Sequence, residues 1–130
     1  MYSDLKGKTA IITGSSKGIG KAVAERFGKE KMNVVVNYHS DPGGAREAVD
    51  NIQAAGGNAL AIEADVSSEE DVKKLINSAV EHFSSLDVMV NNSGFNGAGA
   101  FPHELELDEW QKVIDVNLTG AFLCAREALK

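Results

Sequence analysis

Cysteine is nearly absent from this chain. Cys124 is the single one, which excludes an intrachain disulfide and a cysteine-rich metal site. It fits a reduced, cytoplasmic setting. Basic residues are also in short supply: 13 Lys and Arg stand against 19 Asp and Glu, a net charge of −6. No Lys or Arg cluster is dense enough to form a basic stripe, so no nucleic-acid partner is expected. Long apolar runs are missing too. None approaches the ~20 residues that cross a bilayer, so no membrane span is expected. The stretch Met1 to Lys8 is polar and lacks the apolar core of a signal peptide. No pair of His, Cys, Asp or Glu has convincing metal-ligand spacing, so no metal is expected. At 130 residues the chain reads as one domain, 1–130, long enough to bury about two-thirds of its unfolded surface.

What is present is glycine, concentrated in Thr13-Gly14-Ser15-Ser16-Lys17-Gly18-Ile19-Gly20. The stretch follows a short apolar run, Thr9 to Ile12. It opens a helix-like run from about Ile19 to Lys31. Strand, glycine turn, helix is the context in which such a motif holds a dinucleotide: glycines permit the turn and the close backbone approach, and the helix N-terminus directs partial positive charge at phosphate. A plain strand-to-helix turn uses glycine for geometry alone, and the motif by itself does not separate the two readings.

Apolar runs recur near Thr9, Asn33, Asn58 and Leu86, roughly every 25 residues, each followed by an amphipathic segment. Asn33 to Tyr38 is β-branched without alternation, as in a parallel strand buried on both faces. Asp41 or Ser40 is a candidate N-cap for a helix over about Ala45 to Ala55, which Gly56-Gly57 ends. A third strand covers Ala59 to Ala64. Ser67 and Glu70 have capping-box spacing for the next helix, whose apolar positions run from Val72 to Phe83. The fourth strand is Leu86 to Val90. A loop rich in Gly and Ala spans Phe95 to about His103, and a long final helix starts near Leu107 or Asp108. The expected fold is α/β: an open, parallel, four-stranded half-Rossmann sheet with helices on both faces. A flavodoxin-like sheet also suits the length, but it needs five strands. The candidate site residues all fall at carboxyl ends of strands, where such sheets bind ligands. They are Gly14 to Gly20, Tyr38-His39, Asp65-Val66 and Asn91 to Gly94.

The G-x-x-x-G-x-G spacing, Asp65-Val66, Asn91-Asn92-Ser93-Gly94 and Asn117 resemble the first half of a short-chain dehydrogenase/reductase. Phe83 to Gly94 and His103 to Lys130 look especially like bacterial glucose 1-dehydrogenases, which oxidise an aldose to its lactone with NAD or NADP. The resemblance implies strand order 3-2-1-4 for these four strands. It implies that Gly14, Ser15, Ser16, Lys17, Gly18, Ile19 and Gly20 hold the pyrophosphate and adenosine ribose. Asp65 and Val66 would flank the adenine, and Asn92, Ser93 and Gly94 would line the riboses. Asn117 would sit at a slight kink in the long helix and help hold a water of the proton relay, its part in catalysis. Ser93 departs from the family's usual alanine.

The family's catalytic serine and Tyr-x-x-x-Lys pair lie beyond the long helix and are absent here. Tyr2 and Lys6 have the spacing but precede the first strand, away from the site. The 130 residues are therefore expected to bind a nicotinamide dinucleotide without turnover. The alternative is a self-associating assembly module with little or no nucleotide affinity. Strand four becomes a sheet edge and the final helix loses cover, so a homo-oligomer through either is expected.

No acid follows strand two until Asp41, which permits NADP and does not exclude NAD. Lys17, Tyr38 and His39 stand where a 2′-phosphate would lie. Each also reads as an ordinary loop residue. His82 reads as solvated, His103 as structural, Cys124 as a small apolar helix residue, and Glu104, Glu106, Asp108 and Glu109 as acids favoured at a helix start.

Overall fold

The computed structural model describes residues 2–97 and 99–130. Met1 in the polar N-terminus and Ala98 in the Gly/Ala-rich loop lie outside the described residues. Four parallel strands, β1 (Thr9–Ile12), β2 (Asn33–Tyr38), β3 (Asn58–Glu63) and β4 (Val88–Val90), form one sheet in the order β3-β2-β1-β4. Helices α1 (Gly18–Lys29), α2 (Pro42–Ala54) and α3 (Glu69–Phe83) form the crossovers. The final helix is α4 (Leu107–Ile114) and α5 (Gly120–Ala128), joined by a π-helical segment, Asp115–Thr119.

Side chains alternate across a strand, so one sheet builds two cores. Ala10, Ile12, Val34 and Val36 pack with Ala24 of α1 and with Ala45, Ala48 and Ile52 of α2. Ile11, Val35 and Ile62 face the other way, onto Leu75 and Ile76 of α3 and Leu123 and Cys124 of α5. Helices therefore cover both faces. The doubly buried β1 and β2 explain the continuous apolar runs, since neither face of these strands meets water. Each fully buried Ile or Leu contributes roughly 1.5–3 kcal/mol of apolar transfer.

Several expected boundaries move. Helix α1 ends at Lys29, and Lys31 has φ +60, outside helical geometry. Helix α2 starts at Pro42, not Ala45, because proline suits the first helical position and the Asp41 carboxylate accepts the Gly44 N–H at 3.0 Å. The α3 cap is Ser68, not Ser67: its Oγ accepts the Asp71 N–H at 3.3 Å. Strand β4 begins at Val88, because Asp87 is occupied with Thr9, its N–H bonding the Thr9 carbonyl and its carboxylate accepting the Thr9 N–H.

Candidate functional site

The turn after β1 is held by side chains from three strand ends. Gly14 has φ +61 and Gly18 φ +62, which side chains rarely adopt. Gly20 is required for space instead: an added Cβ would lie 2.6 Å from the Gly14 carbonyl and against the Asn92 amide. That amide is fully committed, since Asn92 Nδ2 donates to the Thr13 and Gly14 carbonyls, each at 3.0 Å. Thr13 Oγ1 in return accepts the N–H groups of Asn92 at 3.0 Å and Ser93 at 3.1 Å. The ends of β1 and β4 are thereby stitched together. Asn92 retains only its Oδ1 for an incoming group, and Ser93 sits against Gly14.

Ser15 is turned inward. Its hydroxyl donates to the Ile12 carbonyl at 2.7 Å and accepts the Asn37 N–H at 3.2 Å, and its own N–H bonds the Asn37 carbonyl at 2.9 Å. Its expected phosphate contact is thus not open to side chain or amide in this arrangement. Ser16 is buried; Lys17, Gly18 and Ile19 are exposed on the rim. Lys17 occupies the N-cap position of α1 with no side-chain cap, whereas α2 and α3 are capped by Asp41 and Ser68. The α1 N-terminus is the one crossover helix start left for an external acceptor.

Tyr38, half-buried, and exposed His39 follow β2 on the same side of the sheet. Asp65 follows β3. Its Oδ1 accepts the Ser67 N–H at 2.9 Å and hydroxyl at 2.6 Å. Burial pushes this carboxyl up, but the Ser67 hydrogen bonds, with His39 and Lys112 nearby, bring it below the usual aspartate value. Val66 is buried against Gly120, where an added Cβ would come within 2.8 Å of Val66 Cγ2. This crossing sets where the final helix lies over the strand ends.

Asn117 lies inside the π-helical segment, which is the expected kink. Its Nδ2 donates to the Val113 carbonyl at 2.9 Å and the Phe95 carbonyl at 2.7 Å, and its Oδ1 accepts the Phe95 N–H at 3.3 Å. The side chain therefore pins the loop after Gly94 to the helix. Lys112 adds a cation–π contact, 4.8 Å from the Phe95 ring centroid. Asn117 here positions backbone, and its side chain has little capacity left for a reacting group.

Among the described residues no group of three His, Cys, Asp or Glu could hold a metal. Burial pushes the Cys124 thiol up to about 11, which keeps it protonated and inert. The small cleft it shares with Thr13, Val66, Ser93 and Gly120 holds about 10 Å³, far below the ~300–1,000 Å³ of small-molecule sites.

One residue that organises this rim was not legible as a site residue: Asn37. An asparagine inside a β-branched run was the available signal.

Known proteins resemble this chain in sequence and in fold. The chain is 68% identical over 129 residues to glucose 1-dehydrogenase 2 of Bacillus subtilis, covering 99% of this chain and 50% of that one. It is 54% identical to 3beta-hydroxysteroid dehydrogenase 1 of Eggerthella lenta, covering 99% and 49%. A crystal structure of a short chain dehydrogenase from Burkholderia cenocepacia in complex with NADP superposes with TM-score 0.91 at 34% identity, covering 96% of this chain and 51% of that chain. The chain thus spans about half the length of the curated relatives it matches. The short chain dehydrogenase family itself matches residues 8–130, nearly the whole chain, and to that family the chain belongs.

Proposed function

We propose that residues 1–130 form the cofactor-binding half of an NAD(P)-dependent dehydrogenase acting on an aldose. The observation that carries this reading is the uncapped N-terminus of α1 behind a glycine turn braced from three strands. Backbone amides and helix dipole there suit a pyrophosphate. Gly14, Ser16, Gly18, Ile19 and Gly20 would border the phosphates and ribose, and Ser15 would shape the turn from inside. Asp65 would accept from the adenine amino group through its second oxygen, with Val66 beneath. Asn92, Ser93 and Gly94 would line the riboses. The bound dinucleotide would accept or supply hydride.

Lys17 and His39, both exposed beside this rim, favour a 2′-phosphate and hence NADP, with NAD also admitted because no acid sits at the end of β2. Titration with NADPH and NADH tests this directly. The expected result is binding of both. Lys17→Ala should weaken NADPH by about tenfold, roughly 1.4 kcal/mol, and leave NADH nearly unchanged. Equal loss for both would remove Lys17 from the 2′-phosphate site.

An aldose substrate rests on the resemblance of the 68%-identical relative, whose name is glucose 1-dehydrogenase 2. The 130 residues carry no serine and Tyr-x-x-x-Lys constellation after the final helix, so we expect them alone to bind without turnover. Glucose oxidation above background by the purified chain would overturn that.

A second reading, a self-associating module with little nucleotide affinity, is favoured by one observation. Leu107, Trp110, Leu118, Phe122 and Leu129 leave an exposed apolar row along the final helix, from 47% to 88% accessible. A homo-oligomer through this row, through the free edge of β4, or through both is compatible with nucleotide binding. Failure of NADPH and NADH to bind a stable dimer would favour this reading over the first.

A further inference from the structure

Asn37 is 1% exposed at the carboxyl end of β2. All its capacity is spent on backbone and on Ser15. Its Oδ1 accepts the Gly14 N–H at 3.1 Å. Its Nδ2 donates to the Ile62 and Ala64 carbonyls, each at 3.2 Å, with the Tyr38 carbonyl further off at 3.4 Å. Its main chain exchanges a pair of bonds with Ser15. One side chain thus ties the first amide of the glycine turn to the carbonyl immediately before Asp65. Its Oδ1 takes the Gly14 amide out of play and its backbone carbonyl takes that of Ser15, which leaves the later amides of the turn to face an anion. Gly14 sits at φ +61 and has no side chain of its own to hold it there.

We infer that Asn37 is a positioning residue that sets the spacing between the phosphate-facing turn and the Asp65-Val66 turn. This rests on the proposed dinucleotide site. A dinucleotide bridges both turns, so it reads their spacing. Adenosine 2′-monophosphate lacks the pyrophosphate, so of the glycine turn it keeps only Lys17, a long and flexible side chain, and reads the spacing far less. Asn37→Ala should therefore lower NADP affinity much more than that of the fragment.

The test measures dissociation constants for NADP and for adenosine 2′-monophosphate on the 130-residue chain, the Asn37→Ala variant and the Asn37→Asp variant. The last keeps the volume and an acceptor for Gly14 but loses the donors to Ile62 and Ala64. The preference for NADP over the fragment should fall by about tenfold or more in both variants. A merely destabilised fold would weaken both ligands in proportion, and an unchanged ratio overturns the inference. Amide hydrogen exchange gives the second readout: in the unsubstituted chain Gly14 and Ser15 should exchange as slowly as the β2 core, and rapid exchange there also overturns it. If neither ligand binds the unsubstituted chain while both amides are protected and that of Gly14 becomes labile in folded Asn37→Ala, the nucleotide reading fails and the brace stands.

Discussion

At the scale of single residues, the glycine turn separates two demands that look alike in sequence. Gly18 meets nothing within 4 Å of an added Cβ and is needed for its φ of +62. Gly20 is crowded and needed for space. Gly20→Ala should therefore push the Asn92 amide off the Gly14 carbonyl, lowering stability by roughly 1–3 kcal/mol and abolishing nucleotide binding. Thermal melting and NADPH titration check both parts. Asp65 gives a pH-dependent counterpart. Its pKa is depressed in the fold, opposed by burial and brought down chiefly by Ser67. Its stabilising effect is thus present above the ordinary aspartate value of about 3.9 and lost as pH falls through the lower folded value. Ser67→Ala should lower Tm at neutral pH, and the gap from the unsubstituted chain should narrow below about pH 4. Melting curves at stepped pH decide this.

At the scale of elements, the strands and the glycine motif were plain in the sequence because burial on both faces forces continuous apolar runs. The caps and the helix interruption were not. Ser67 and Ser68 are adjacent, as are Glu70 and Asp71. What selects the second pair is Asp71 Oδ2 reaching back to the Asp65 N–H at 2.9 Å, a contact that periodicity does not record. Likewise the π-helical segment arises where Gly120 must meet Val66 while Asn117 holds Phe95; both constraints join distant parts of the chain. Asn37 escaped notice as a site residue because hydrophobic patterning treats a buried polar residue as an interruption. A further consequence of local geometry lies at the end of α3. Ser84 caps it with φ +70 and an exposed side chain. Ser84→Gly should relieve this left-handed strain and raise stability by about 0.5–1 kcal/mol, read as a higher Tm or denaturant midpoint.

At the scale of the molecule, β1 and β2 are enclosed but β4 has a single neighbour among the described residues, and the final helix buries Leu123 and Cys124 while exposing Leu118 and Phe122. A helix with apolar residues on both sides is consistent with a second partner. Sedimentation of the double variant Leu118→Lys, Phe122→Lys should show monomer where the unsubstituted chain associates, with its helical CD signal retained. The two braces of the glycine turn also differ in reach. Every hydrogen bond of the Asn37 side chain lies within residues 14–64, spanning at most 27 positions, whereas Asn92 reaches back 79 positions to Thr13. Loop closure delays distant contacts more than near ones. On the ribosome, the first brace can form while β4 is still untranslated, and the second completes the rim only after the chain has returned to its first strand. The proposed nucleotide site would thus be assembled in translation order, its Asp65 side before its Asn92 side.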